Sequence, residues 1–254
     1  MTAAARVEAI YRYPVKGLSP EPLAHARLSA GATVPGDRLY AIENGPSGFD
    51  PAAPRYAPKS HFLMLMRNER LARLRSRFDD KSHTLVVDYD GREAARGDLR
   101  QPGGRASIEE FFAAYCADEL RGPPKLLHAP GHSFSDVAKK VVSIINLASV
   151  AAIETAVGLP VHPLRFRGNV HVTGWPAWRE FELVGREIAI GDGARLKIVK
   201  RIVRCAAINV EPDTGVRDLA LPDTLRRTYG HADCGVYGEV VVAGDVAVGD
   251  ALDP

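Results

Sequence analysis

The residues of greatest chemical interest are Arg204 and Cys205. A guanidinium beside a thiol favours the thiolate, the form that nucleophiles and metal ligands require. The plain structural alternative is a half-buried strand cysteine with its arginine on the opposite face. Glu211-Pro212-Asp213-Thr214-Gly215 follows closely and suits a tight turn, which also fixes where the preceding strand ends. Arg165-Phe166-Arg167-Gly168-Asn169 places two arginines at i and i+2, on one side of a strand. Arginine grips phosphate with a planar fork, and asparagine offers a heterocycle both donor and acceptor. A charged strand edge would show the same pattern. Tyr13-Pro14-Val15-Lys16-Gly17 and Gly36-Asp37-Arg38-Leu39 each bring one cation to a strand end or turn.

Positioning these groups falls mainly to strands. Val7 to Tyr13 is apolar, β-branched and aromatic until Pro14 stops it. Leu39 to Ile42 and Thr84 to Tyr89 are further strands, the second closed by the turn pair Asp90-Gly91. Gly45 to Pro58 reads as a long surface loop, and Arg67 to Lys81 as a solvated charged face. Gln101 to Gly104 reads as a loop before a helix that starts at Ser107, with Glu110 completing a capping box. Cys116, among Phe111, Phe112 and Tyr115, belongs to a core. Gly122-Pro123-Pro124 marks a boundary between residues 1–122 and 123–254. Beyond it come a strand from Val141 to Leu147 and a helix from Ser149 to Val157, with Gly158 as its stop. After Asn169 the pattern is almost all β. Gly191-Asp192-Gly193 and Ala243-Gly244-Asp245 each sit between short apolar runs and read as hairpin turns. Many short strands with regular turns imply a barrel or a folded sheet.

Composition narrows the classes. The 33 basic and 31 acidic residues leave a formal charge of +2, so no nucleic acid or anionic membrane is expected as partner. Cys116, Cys205 and Cys234 are too few and too scattered for a disulfide framework and fit a reducing cytoplasm. The first residues resemble neither a signal peptide nor a membrane anchor. Dinucleotide, P-loop, Cys-x-x-Cys, zinc-protease and nucleophile-elbow motifs are all missing from the sequence. His128 and His132 are four apart, but Pro130-Gly131 between them argues against a helical zinc pair.

The five chemical segments occur in one order, followed by Gly235-Val236-Tyr237 and a final Val248-Gly249-Asp250. Together they resemble the MOSC family, in the arrangement where a MOSC N-terminal β-barrel domain precedes the MOSC domain. The resemblance runs from about Val7 to Asp250. It implies a mainly β (α+β) fold, with a β-barrel-like first domain packed on a β-barrel MOSC domain carrying a few helices. It also implies a molybdenum cofactor (molybdopterin), with Cys205 as metal ligand and catalytic residue. Lys16, Arg38, Arg167, Asn169, Arg204 and Tyr237 then match positions around the pterin and its phosphate, with Asn146 a looser match. Asp136 matches a Phe-Ser-Asp element before the second domain. The family implies reduction of N-hydroxylated small molecules, such as amidoximes or N-hydroxylated bases. Electrons would come from an external ferredoxin- or flavoprotein-type donor. The alternative is a protein that binds the cofactor or transfers sulfur to it. An association with pyridoxal phosphate binding also comes with the family. Two positions depart from the usual pattern: Gly17 replaces a frequent serine and Cys234 a frequent phenylalanine.

Overall fold

The computed structural model describes residues 4–253. The architecture is mainly β, with one eight-stranded sheet and three small sheets of two, two and three strands. The large sheet runs in the order Leu252–Asp253, Glu187–Ile190, Ala194–Val203, Asp233–Val242, Val142–Asn146, Val170–Thr173, Arg6–Arg12, Glu21–Leu23. Among the described residues of this sheet, only Val142–Asn146 and Val170–Thr173 pair in parallel; the helix Leu147–Val157 lies in the connection that parallel neighbours require. The sheet's core is apolar, with Val7, Ile10, Ile144, Val172, Leu196 and Val236 all nearly inaccessible.

The chain's first strand is therefore built into a sheet that is otherwise mostly late sequence. Arg6–Arg12 pairs antiparallel with Val170–Thr173 on one side and Glu21–Leu23 on the other. A second core lies in the first part, where Leu71, Leu74, Leu85 and Val87 meet Ile108, Phe112 and Cys116. The strand Leu74–Asp79 alternates buried and exposed residues without a break, so its arginines face outward while its apolar side chains face that core. Leu74–Asp79, Thr84–Tyr89 and Arg92–Asp98 form a three-stranded meander, with Asp90-Gly91 at the second turn.

Three local expectations are corrected. The helix spans Pro102–Tyr115 and so starts five residues before Ser107. Pro102 suits the first turn, where its missing N–H costs nothing. Gly103 and Gly104 are helical rather than loop because the helix lies against the strand before it. A Cβ on Gly104 would stand 2.2 Å from the Asp98 carbonyl oxygen. The second correction is a helix at Leu221–Tyr229, in a stretch read as almost all β. Its apolar Leu221 and Leu225 pack inward, four residues apart. The third concerns Ala243-Gly244-Asp245, which does not close a hairpin. Gly244–Ala247 leaves Asp233–Val242 and pairs with His25–Leu28 instead. A Cβ at Gly244 would meet the Asp192 carbonyl at 2.4 Å, so the chain crosses over the neighbouring turn there.

Candidate functional site

Cys205 lies two residues beyond the end of Ala194–Val203 and caps a short 3-10 turn, Ala206–Asn209. It is half-buried at the wall of a cavity of about 340 Å³, within the size range of small-molecule pockets. Among the described residues Cys205 is the one thiol lining it. The lining contains eight basic side chains, Lys16, Arg38, Lys59, Arg165, Arg167, Lys200, Arg201 and Arg204, against two acidic ones, Asp37 and Asp136. A chain of nearly balanced charge thus concentrates cations on one cavity.

The cation on the thiol is not the one the Arg204-Cys205 pair suggests. Arg204 is buried, and its guanidinium donates to the carbonyls of Cys234 (2.8 Å) and Phe166 (2.7 Å). Lys59 supplies the contact, with Nζ 3.2 Å from Cys205 Sγ. Burial works against the Lys59 ammonium, but Asp136 and the sulfur outweigh it and raise its pKa. Sequence reasoning missed Lys59 because it follows a loop rich in Gly, Pro and Ala, 146 residues from its partner.

Behind the lining, the fully buried Tyr13 contacts two lining guanidiniums. Arg38 lies 4.8 Å and Arg167 4.2 Å from its ring centre. Burial pushes the Tyr13 phenol up to about 12. Arg38 pairs with Asp37, and also donates to the Arg167 carbonyl at 3.2 Å. Lys16 is buried, donates to the Phe134 carbonyl at 2.8 Å and pairs with Asp136. Burial lowers the Lys16 pKa even so. The same ion pairs, against the burial of the carboxylate, hold Asp136 down to about 2. Arg167 has no carboxylate partner among the described residues, and its guanidinium donates only to the Leu18 carbonyl at 2.9 Å. Burial brings its pKa down to about 10, so it stays charged at neutral pH.

Arg165 and Arg167 do not share a strand face. Pro163–Phe166 is a 3-10 turn and Arg167 caps it in the left-handed region, at φ 50°. The turn sends the two side chains apart: Arg165 goes to Asp218 (2.7 Å) and the Asn209 carbonyl (3.0 Å). Asn169 lines the cavity, but its amide is already committed. Its oxygen accepts from Ser143 N and Oγ, and its nitrogen donates to the Tyr11 carbonyl. Asn146 is outside the cavity altogether. It is fully buried, caps the helix Leu147–Val157, and donates to Pro176 O and Glu180 Oε2. Those partners leave Asn146 nothing to offer a ligand. Tyr237 does line the cavity, whereas the Cys234 thiol is in the core, where burial pushes it up to about 12.

The residues fit a pterin cofactor that carries a phosphate. Arg167 is a cation without a carboxylate beside two cations that have one each, so the group missing from the cluster is an anion. Cys205 offers a soft donor on the same cavity.

Comparison with known proteins gives the family. Residues 4–118 match the MOSC N-terminal beta barrel domain and residues 129–253 match the MOSC domain. The chain belongs to the MOSC family. A curated relative of this MOSC protein is mitochondrial amidoxime reducing component 2 of Bos taurus, 31% identical over 123 residues. That match covers 44% of this chain and 36% of the bovine protein. Among solved structures, the YuaD protein of Bacillus subtilis aligns over 98% of this chain and 94% of its own, at 14% identity and a TM-score of 0.46. YiiM of Geobacillus stearothermophilus aligns over 44% of this chain and 52% of its own, at 19% identity and a TM-score of 0.34.

Proposed function

We propose that this MOSC protein holds a molybdenum cofactor (molybdopterin) in the cavity and reduces N-hydroxylated compounds such as amidoximes. The observation that carries the reading is the convergence of the Cys205 thiol with Lys16, Arg38 and Arg167 on one cavity. The name of the bovine relative supports the amidoxime class.

In this reading Cys205 is the protein's ligand to the metal. Lys16, Arg38 and Arg167 hold the phosphate, Arg167 through a fork left open for it. Both guanidiniums rest against the Tyr13 ring. Arg204 does not touch the cofactor phosphate; it ties the Cys234 and Phe166 carbonyls together behind Cys205 and so fixes where the thiol points. Asn169 and Asn146 are scaffold. The bound cofactor supplies two-electron redox chemistry. Overall, an amidoxime takes up two electrons and two protons; its N–O bond breaks, leaving the amidine and water. Electrons come from an external ferredoxin- or flavoprotein-type donor, in a reducing cytoplasm.

The test is the holo-protein purified from a cofactor-replete host. Molybdenum should be present, and benzamidoxime should be reduced with a dye reductant but not with NADPH alone. Cys205→Ala should abolish turnover while much of the pterin stays bound. Full activity in that variant would remove Cys205 as ligand. Bound cofactor without turnover on any N-hydroxylated compound would favour a carrier or sulfur-transfer protein instead.

A further inference from the structure

The cofactor phosphate does not account for every cation at the cavity. Lys16, Arg38 and Arg167 suffice for it, and Arg204 is committed to backbone carbonyls. Arg165 pairs with Asp218 at 2.7 Å and Arg201 with Asp233 at 4.0 Å. Lys59 and Lys200 remain, and both line the cavity together with Cys205 and Tyr237. Lys59 touches Sγ at 3.2 Å and reaches Asp136 only at 3.9 Å, a carboxylate already paired with Lys16. Lys200 is exposed, with Nζ 5.7 Å from the Tyr237 ring centre and no carboxylate within 4.0 Å among the described residues. Besides these cations, the cavity lining carries the apolar segment Met64-Leu65-Met66. A neutral N-hydroxylated compound would use that wall and bring no carboxylate to either ammonium group.

Resting on the reductase reading above, we propose that Lys59 and Lys200 form an anion subsite beside Cys205. The preferred substrates then carry a carboxylate of their own, with a flat apolar body against Met64 and Met66. An ammonium at the mouth raises the local concentration of an anionic substrate, and the contact acts on binding rather than on bond cleavage. The preference therefore belongs in KM, and salt should screen it because Lys200 is exposed.

The experiment compares benzamidoxime with 4-carboxybenzamidoxime on the holo-protein, using a dye reductant at low and high salt. The carboxylate compound should show a kcat/KM higher by roughly fivefold at low salt, carried by KM and lost at high salt. Lys200→Glu should bring the ratio to one or below. Calorimetry with the product, 4-carboxybenzamidine, against benzamidine should show the same loss of selectivity in Lys200→Glu without any turnover. A wild-type ratio of one, or a ratio that Lys200→Glu does not move, overturns the subsite. Loss of molybdenum and pterin in Lys200→Glu also overturns it, by assigning Lys200 to the cofactor. If neither amidoxime is reduced, the reductase reading fails. The calorimetry then decides the subsite alone: carboxylate-selective binding that Lys200→Glu abolishes upholds it, and equal binding overturns it.

Discussion

A cation without a counter-ion is informative only when its neighbours have theirs. Arg167 meets that condition beside Lys16 and Arg38. Arg167→Lys keeps the charge but loses the planar fork that lies 4.2 Å from the Tyr13 ring centre. Molybdenum and pterin content after dialysis should fall, with affinity lower by about one to two powers of ten. Unchanged content would show that the phosphate sits elsewhere. A second residue bears on stability. His171 is 3% exposed, its Nε2 has no hydrogen-bond partner, and burial lowers its pKa from 6.5 to about 4. The folded protein therefore binds fewer protons than the unfolded chain between those two values. This contribution is complete above pH 6.5 and disappears as pH falls towards 4, worth up to about 3 kcal/mol. Urea midpoints should fall across that window, and His171→Phe should flatten the slope; an equal slope in the variant would exclude His171 as its source. Most of the cavity's cations were legible in the sequence, because each stands in a short segment with its own turn signal. Lys59 was not, since only the fold brings it to the thiol. The i, i+2 argument for Arg165 and Arg167 failed for a different reason: it holds on a strand, and Pro163 starts a 3-10 turn there.

Strands with alternating or continuous apolar residues were readable, as were Asp90-Gly91, Gly191-Asp192-Gly193 and the stop at Gly158. Glycine was misread where it served contact rather than turning. Gly103 and Gly104 are adjacent in one helix yet have opposite environments: a Cβ meets nothing within 4 Å at Gly103 and the Asp98 backbone at Gly104. Gly103→Ala should therefore stabilise by about 0.5–1 kcal/mol, through helix propensity and the stiffer unfolded chain. Gly104→Ala should destabilise by roughly 1–3 kcal/mol, since backbone must move to admit the methyl. Thermal unfolding of both variants checks the pair, and a shared sign would refute the close-approach explanation. The Gly244 error has the same origin: a turn signal in sequence can mark a crossing of two chains. Leu221–Tyr229 escaped notice because nine residues give too few turns for a periodic pattern to stand out beside Pro222.

The two matched family domains share backbone as well as a cavity. Arg6–Arg12 is an inner strand of the large sheet, paired with Val170–Thr173, and Tyr40–Glu43 pairs with Lys125–His128, in the stretch between the two matches. Arg217 adds side-chain ties, donating to Leu65 O (3.1 Å) and Met66 O (2.8 Å) from one nitrogen and to Ala206 O (3.0 Å) from another. Residues 123–254 expressed alone should therefore lack cooperative unfolding and a dispersed amide spectrum. Adding residues 1–122 in trans should restore both; a well-folded 123–254 fragment would contradict this. The mixed origin of the sheet was not legible, because pairing between residues 6 and 173 leaves no local trace in either segment.

That pairing also sets an order of events during synthesis. Arg6–Arg12 leaves the ribosome while its partner Val170–Thr173 is not yet made. At roughly 5–20 residues per second the wait is on the order of ten to thirty seconds. For that interval an amphipathic strand with open backbone donors and acceptors has only Glu21–Leu23 beside it. Faster translation of the segment between the two strands should therefore shorten the exposure and raise the soluble yield.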